Sequence, residues 1–490
     1  MLWNLTAIHQ IKSLETQARG ILRFLRSLRN TFQPVNRLPP EIISHIVRSI
    51  LDGAIDTRSI VPLTHVCRYW RNTFISTPDN WSLISNEWEG LAVLSLERAK
   101  VAPLTIHLDM YKLDPTKHPR FRELLLSRIQ YTRFLSVTTP STNKLVQTFP
   151  NFTKSMPGLQ SLALESNERA DWTLPDPFDL SAHTLKSLTL RGIPLYPSFL
   201  SIRTLTKLTL VDHHFDLHLD FLLNFLEESH SLNSAYLWIG FAEPSLRRFR
   251  RQAPIRNQLR HLSISCNDIV DGRALISSIA LQRGAALQVT YYGGNTATLA
   301  DLLPGLSTMH LPNLSSPVFM EYRSPSELPM NVRLLGPGGS FTLSGRLRLG
   351  DAPGLPFPFI LNSIREFRLE HRTLSISKKI HLSLFPSLEV FCVSNNTSVS
   401  RVLSTLLPKP TSSRKLRTLA FLNCIIAEGF MDELAQFASS RKNTKSASLH
   451  RVVVVGSDER LPSVASIERL RKHVPVVEVT EGYKLSMNLL

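Results

Sequence analysis

The feature that most constrains this chain is a short apolar phrase, L-x-x-L-x-L, that returns along much of its length. Clear copies begin at Leu159, Leu185, Leu205, Leu259, Ile364, Leu388 and Leu416. Where one copy follows directly on another, the two are 20 to 28 residues apart. Residues two apart on a strand point to the same side of a sheet. The phrase therefore predicts short strands, each with one buried face, in a repeating array.

This spacing is typical of leucine-rich repeats, whose units run about 20 to 29 residues. Four copies also complete the longer phrase, with Asn167, Asn267, Asn396 and Cys424 three residues after the last apolar position. An Asn or Cys there can satisfy backbone groups as the chain leaves the strand. We therefore expect an α/β solenoid, a horseshoe of short parallel strands with outer helices.

Helical stretches between the strands carry apolar stripes that would cover the other side of the repeats. The stripes are Leu219, Leu222, Leu223 and Leu226; Val402, Leu403, Leu406 and Leu407; Phe430, Leu434 and Phe437; and Ile467, Leu470 and Val474. Looser strand candidates extend the array at 104–108, 452–455 and 474–479. The stripes indicate core rather than binding grooves.

The array is irregular over residues 293–360, which hold nine of the 20 glycines and nine of the 31 prolines. Such residues break helices and favour turns. We expect either repeats without helices or an inserted loop. The Gly-Pro-Gly-Gly sequence at 336–339 lacks the strand and helix context of a phosphate-binding loop, so no nucleotide is assigned to it.

A different pattern precedes the repeats: residues 5–32 have the spacing of one amphipathic helix. Its apolar positions alternate at three and four, and they are Ile11, Leu14, Ala18, Ile21, Leu25, Leu28 and Phe32. We call this set the α1 seam. A seam this short is marginal for a free coiled coil. We expect the helix to pack on the domain that follows, and a homodimer through the helix is the alternative.

Between the helix and the repeats lie two further apolar segments. The first, Arg37-Leu38-Pro39-Pro40-Glu41-Ile42, predicts a helix start, because proline suits the first turn and Glu41 favours the positive end of the helix. The second, Val66-Cys67-Arg68-Tyr69-Trp70-Arg71, is followed by Trp81. Together they predict a small helical unit with more apolar side chains than so short a segment can bury alone.

These two segments resemble the F-box, whose usual phrase is L-P-x-E-[I/L] followed downstream by V-C-[R/K]-x-W-[R/K]. The resemblance covers residues 37–84, with a longer and more polar stretch at 51–60 than the tightest F-boxes carry. It implies a helical N-terminal F-box domain that docks on the Skp adaptor of a Skp–cullin–F-box ubiquitin ligase. A second domain would then capture a protein substrate.

The resemblance also implies which residues contact the adaptor. By matching positions these are Leu38, Pro39, Glu41, Ile42, Ile46, Val66, Cys67, Trp70 and Trp81. If they serve an adaptor, Leu38, Ile42 and Trp70 should face solvent in the isolated chain. The alternative is that some of them, Cys67 and Trp81 especially, pack the F-box internally. The expected domains are an N-terminal helix (1–34), the F-box (35–88) and the repeats (89–490).

The formal charge of +17 is the one compositional outlier. Basic residues concentrate at Arg247, Arg248, Arg250, Arg251, Arg256 and Arg260, which we call the arginine cluster. An anionic or phosphorylated target is one interpretation, and nucleic acid is a less favoured one, because no nucleic-acid-binding motif accompanies the charge. General solubility is the third.

Catalytic and metal-binding motifs are missing from the sequence. It contains no Gly-x-Ser-x-Gly, Walker loop or His-Glu-x-x-His, and the one histidine cluster, His213, His214 and His218, lacks a carboxylate or cysteine partner. We therefore expect a non-enzyme without cofactor or metal. The serious alternative to the ligase role is a free-standing repeat scaffold in which the F-box-like helices cap the first strand.

The compartment is inferred from other features of the sequence. The four cysteines lie far apart, and no run of about 18 apolar residues or basic leader is present. We expect unpaired buried thiols and an intracellular protein, cytoplasmic or nuclear, with no membrane partner.

Overall fold

The computed structural model describes fourteen main stretches of the chain. They are residues 2–51, 60–113, 118–140, 156–166, 184–193, 202–213, 219–239, 254–294 except 257, 316–324, 330–345, 361–371, 382–395, 414–456 except 428, 443 and 445, and 462–481, with residues 58, 144, 195, 199, 302, 311, 314 and 399 described singly. The chain divides into two compact units, Met1–Ile202 and Arg203–Leu490.

The first unit is helical at its start and becomes a parallel sheet. Its helices are α1 (Leu2–Thr31), α2 (Pro40–Leu51), α3 (Ile60–Thr64), α4 (Arg68–Ser76), α5 (Glu89–Ala99) and α6 (Pro119–Arg128), with short 3-10 turns at Pro34–Arg37, Pro78–Trp81 and Ile129–Tyr131. Its strands are β1 (Leu83–Ser85), β2 (Leu104–Asp109), β3 (Thr132–Thr139), β4 (Ser161–Ser166) and β5 (Ser187–Arg191). Each strand pairs in parallel with the next.

The register of these strands aligns the apolar phrase from repeat to repeat. Leu162 and Leu164 of β4 lie opposite Leu188 and Leu190 of β5. All four are buried, whereas the residues between them are partly exposed. The alternation predicted from the phrase is therefore confirmed at these copies, and the looser candidate at 104–108 is confirmed as β2.

The second unit continues the parallel pattern with more strands. They are β6 (Lys207–His213), β7 (Ser234–Ile239), β8 (Ile255–Arg256), β9 (His261–Cys266), β10 (Ile279–Ala280), β11 (Ala285–Tyr291), β12 (Phe319–Ser324), β13 (Met330–Gly336), β14 (Gly339–Gly345), β15 (Glu366–His371), β16 (Val390–Ser394), β17 (Thr418–Cys424), β18 (Arg451–Gly456) and β19 (Val476–Glu481). The described helices of ten residues or so are α7 (Leu219–Glu228), α8 (Ile269–Ser278), α9 (Phe430–Lys442) and α10 (Val464–Arg471).

Two parallel ladders carry the phrase through this unit. One joins β6, β7, β9 and β11, and the other joins β15 through β19. In the second ladder Phe367, Phe391 and Leu419 share one level, and the Phe367 ring stacks on Phe391 with 5.6 Å between centroids. The candidates at 452–455 and 474–479 are confirmed as β18 and most of β19.

The helical stripes form core, as expected. Leu219, Leu222, Leu223 and Leu226 of α7 are buried, and so are the three stripe residues of α9. In the fourth stripe Leu470 and Val474 are buried and Ile467 is half-buried. The stripe at 402–407 lies outside the described residues.

The described part of the irregular stretch contains three strands, β12 to β14. Strand β13 runs antiparallel to both β12 and β14, and the outer two continue the parallel ladders, β14 against β11 and β12 against β15. Pro337 and Gly338 form a two-residue turn between β13 and β14. Gly339 has a φ of 125°, and a Cβ there would lie 2.1 Å from the Ala285 carbonyl oxygen. Only glycine fits where this hairpin pairs with β11.

The polar position after each strand follows the repeat pattern only in part. Cys424 is buried, and its thiol donates to the carbonyl oxygens of Leu422 (3.3 Å) and Val393 (3.6 Å). Asn267 is exposed at the end of β9. Asn167 and Asn396 lie outside the described residues.

Candidate functional site

The candidate site is the helical segment before the repeats, by which we mean the described residues of 34–81. Its interior is formed by one face of α2 and one face of α4. Ile43 and Val47 of α2 and Phe74 of α4 are buried. The Trp81 indole is 2% exposed, packs edge-on against Phe74 at 5.0 Å, and donates from Nε1 to the Phe74 carbonyl at 3.0 Å. These side chains make a small core between the two helices and the Pro78–Trp81 turn.

This core is fastened to the first repeat. The Arg98 guanidinium of α5 lies over the Trp81 ring, 4.4 Å from its centroid, in cation–π geometry. An ion pair of 2.6 Å joins Arg48 of α2 to Asp79. The helical segment is therefore an ordered part of the first unit.

Trp70 has an internal role, and the half-buried Cys67 supports the helix that carries it. Trp70 is 8% exposed, and its Nε1 donates to Asn36 Oδ1 at 2.9 Å. The Cys67 sulfur caps the start of α4 by accepting from the Trp70 amide at 3.5 Å. The expectation that Trp70 faces solvent is wrong, and Trp81 is likewise interior, because each indole finds a hydrogen-bond acceptor inside the segment.

The other matched residues lie on or near the surface. Ile42 is 44% exposed and Val66 is 53% exposed, and Pro39 and Glu41 are exposed as well. Leu38, Ile46 and Cys67 are half-buried. The Tyr69 hydroxyl donates to the Leu38 carbonyl at 2.8 Å and so holds the start of α2 against α4. Nine matched residues thus separate into an interior pair of indoles and an outer group.

The sequence matching missed other exposed apolar residues on the same helices. Ile50 of α2, Val61 of α3 and Ile75 of α4 are each exposed by about two fifths or more. Ile42, Ile46 and Ile50 are four residues apart, so they share one stripe of α2. That spacing was present in the sequence and could have identified the outer face, since Ile43 and Val47 occupy the inner one.

The α1 seam does not pack on the following domain, so the expectation that it would is wrong. Six members of the α1 seam are between 45% and 64% exposed: Ile11, Leu14, Ile21, Leu25, Leu28 and Phe32. Among the side chains of the helix that the structure describes, Ser27 and Asn30 are half-buried, and they lie on the side away from the seam. The helix therefore directs its polar side inward and leaves its apolar side uncovered.

The arginine cluster is described only at its end. Arg260 is exposed, Arg256 lies in the short strand β8, and Arg247, Arg248, Arg250 and Arg251 lie outside the described residues. Of the histidine cluster, His213 ends β6, and His214 and His218 also lie outside the described residues.

The cysteines are unpaired, and three of the four are buried. Burial, with help from the carboxylates of Asp271 and Asp268, raises the pKa of the Cys266 thiol to about 12. Burial also raises the pKa of the Cys392 thiol to about 12. Both thiols stay protonated at neutral pH, which makes them poor nucleophiles.

Within the described ranges, no group of three or more His, Cys, Asp or Glu side chains could hold a metal ion. In the same part of the chain, no helix is both long and apolar enough to cross a membrane.

Comparison with known proteins gives likenesses to solved structures alone. No protein-family model matches the chain, and no curated protein matches it. Among solved structures, a leucine-rich-repeat protein of Leptospira interrogans is similar over 72% of this chain and 97% of that chain, with 14% identity and a TM-score of 0.25. The repeat character of this fold rests on the strand register itself. The chain is a mixed α/β protein whose long runs of parallel strands are compatible with a leucine-rich-repeat-like solenoid.

Proposed function

We propose that this protein is a non-catalytic F-box protein, the substrate-recognition subunit of a Skp–cullin–F-box ubiquitin ligase. The helical segment would dock on the Skp adaptor, and the repeats would hold a protein target. The observation that carries the proposal is that α2 and the α3–α4 turn belong to an ordered unit whose surface exposes the apolar side chains of Ile42 and Val66. An exposed apolar patch on an ordered surface marks a protein contact.

The proposed adaptor contacts are revised by burial. Pro39, Glu41, Ile42, Val66 and the half-buried Leu38, Ile46 and Cys67 remain candidates for direct contact. Trp70 and Trp81 are assigned to holding α4 and the Pro78–Trp81 turn in place. The ligase would gain rate by proximity, since a target held next to the charged conjugating enzyme reacts as if it were part of the same molecule.

Co-expression with a Skp-family adaptor tests this proposal. The full chain is expected to co-purify with the adaptor as a stable complex through size-exclusion chromatography at physiological salt. A folded chain that elutes free of the adaptor would contradict it.

A ligase-independent scaffold is the second candidate, and one observation favours it. Arg98 of α5 holds Trp81 of the helical segment, as expected of a cap on the first repeat. A cap, however, needs no uncovered apolar face. A nucleic-acid-binding role rests on the net charge and on the arginine cluster, and it predicts binding that weakens steeply with salt.

We also propose that the α1 seam joins two copies of the chain. Its a and d positions keep the 3-4 spacing from Ile11 to Phe32, and its flanking positions carry Glu15 and Arg29 as their charged residues. Lys12, Arg19, Arg23 and Arg26 lie away from the seam, so two seams can meet without a row of like charges between them. The seam would be covered as in a two-stranded coiled coil.

Charged residues in the seam should abolish self-association. Light scattering is expected to give about twice the chain mass of 55.4 kDa for the wild type. A Leu14→Lys, Leu25→Lys variant should give the single mass, because four lysines would then meet in the coiled-coil core. The matched control, His9→Lys with Ser13→Lys, adds the same charge outside the seam and should stay dimeric. A wild-type chain of single mass at micromolar concentration would refute the dimer.

A further inference from the structure

A basic cleft lies between the C-terminal half of α1 and the α3–α4 region, with a volume of about 610 Å³. Its cationic lining comes from two separate elements. Arg23 and Arg26 project from α1, and His65, Arg68 and Arg71 come from the turn after α3 and from α4. No carboxylate is among its lining residues in the described part of the chain.

The cleft exists because α1 presents its polar side to the helical segment. Ser27 and Asn30 of this helix are half-buried, and both line the cleft. The Asn36 side chain anchors the end of the helix by donating to the Asn30 carbonyl at 2.7 Å. The apolar α1 seam points away, so the cleft and the seam are separate surfaces.

The arginines of the cleft differ from several arginines elsewhere in this unit. Arg48, Arg58 and Arg191 each form an ion pair with a carboxylate. Within the described residues, Arg23, Arg26 and Arg68 pair with none. Arg71 donates from Nε to the Thr64 carbonyl at 2.8 Å, which fixes its side chain but leaves its charge uncompensated.

Bringing four guanidinium groups to one cleft raises the electrostatic energy of the molecule. An anion bound between α1 and the α3–α4 region, the two walls of the cleft, would instead make the electrostatic energy of these charges favourable. Guanidinium groups match phosphate oxygens with two parallel hydrogen bonds, and such charge-assisted bonds are about twice as strong as neutral ones. A singly charged ion would leave most of the four charges uncompensated, whereas a ligand with several phosphates could reach both walls.

We infer that this cleft binds a compact polyphosphate anion, a small ligand that carries two or more phosphate groups. The volume lies within the usual range of small-ligand sites, about 300 to 1,000 Å³. Phosphates at one end of the ligand would meet Arg23 and Arg26, and those at the other end Arg68 and Arg71. Bound in this way, the ligand would fasten α1 to the helical segment. The inference does not depend on adaptor docking, because none of the four arginines is a proposed adaptor contact.

The test is calorimetric titration of the full chain with tripolyphosphate in 150 mM salt. The wild type should bind one equivalent saturably, with sodium sulfate at equal ionic strength producing no comparable heat. An Arg26→Gln, Arg68→Gln variant should bind at least tenfold more weakly, because it removes one cation from each wall. Both arginines are exposed, so the unliganded variant should melt at the wild-type temperature.

An Arg19→Gln, Arg133→Gln variant is the matched control, since it removes the same charge from exposed positions outside the cleft. Its affinity should equal that of the wild type. Three results would overturn the inference: no saturable binding by the wild type, equal weakening of both variants, or binding of a doubly phosphorylated peptide without binding of tripolyphosphate. The last would assign the cleft to a phosphorylated protein segment instead.

Discussion

Replacing Arg441 with methionine is expected to lower the free energy of unfolding by on the order of 3 kcal/mol or more. This arginine of α9 is fully buried, and its guanidinium donates to the carbonyl oxygens of Ala447 (3.0 Å), Leu416 (3.2 Å) and Arg414 (3.5 Å). It also lies over the Phe437 ring. Methionine fills similar volume but leaves these buried carbonyls without a donor, and each unmet group costs about 1 to 3 kcal/mol.

The effect should appear as a fall in melting temperature of roughly 3 to 5 °C, measured by circular dichroism. Arg441→Lys should recover only part of the loss, because an ammonium is a single point donor and cannot reach carbonyls on several sides. Arg471→Met on the neighbouring helix α10 is the matched control. Its side chain is half-exposed and pairs with Glu468 on the same helix, so it should change stability by no more than about 0.5 kcal/mol. Equal melting of the Arg441 and Arg471 variants would show that the carbonyl cluster does not hold this repeat together.

The second large effect concerns adaptor binding. An Ile42→Asp, Val66→Asp variant is expected to bind a Skp-family adaptor at least 100-fold more weakly than the wild type. Each substitution places a carboxylate where an apolar side chain would be buried on docking, and truncation of such central contacts commonly costs about 2 kcal/mol or more. Biolayer interferometry against the purified adaptor measures the loss.

The structure supplies a matched control for this variant. Val101 follows α5 and is 68% exposed, and Val464 begins α10 and is 77% exposed. A Val101→Asp, Val464→Asp variant therefore adds the same charge at similarly open apolar positions outside the helical segment. It should bind the adaptor with wild-type affinity, and all three proteins should melt together. An Ile42→Asp, Val66→Asp variant that still binds normally would move the docking surface away from α2 and the α3–α4 turn.

Much of the repeat region could be predicted from the L-x-x-L-x-L phrase. Its last two apolar residues both point into the core from the same strand, so the phrase predicts where the strand lies and how it aligns with its neighbours. As a consequence, Leu162 of β4 lies directly opposite Leu188 of β5, and the equivalent residues of other repeats are aligned in the same way. The same rule applies to β7, where Leu232, Ala235 and Leu237 keep the phrase with a small residue at its second position. That copy was missed because alanine weakens the pattern, although the site is equally buried.

Other features depend on contacts that no local pattern contains. Gly336 to Gly339 indicated a turn, but the antiparallel course of β13 depends on its pairing with strands on both sides. The three- and four-residue spacing of apolar positions in α1 identified the apolar face of the helix, but this spacing contains no information about which surface packs against that face. Trp70 and Asn36 are 34 residues apart in sequence, so their hydrogen bond, which turns the indole inward, was not visible in either motif.

Hydrogen–deuterium exchange on the full chain, with and without a Skp-family adaptor, tests the central proposal most directly. It reports both whether the adaptor binds and where. The proposal predicts slower exchange in the peptides that cover residues 38–50 and 60–71 when the adaptor is present, with the repeat strands unchanged. Exchange that stays the same in those peptides, or protection confined to the repeats, would contradict an F-box role for this segment.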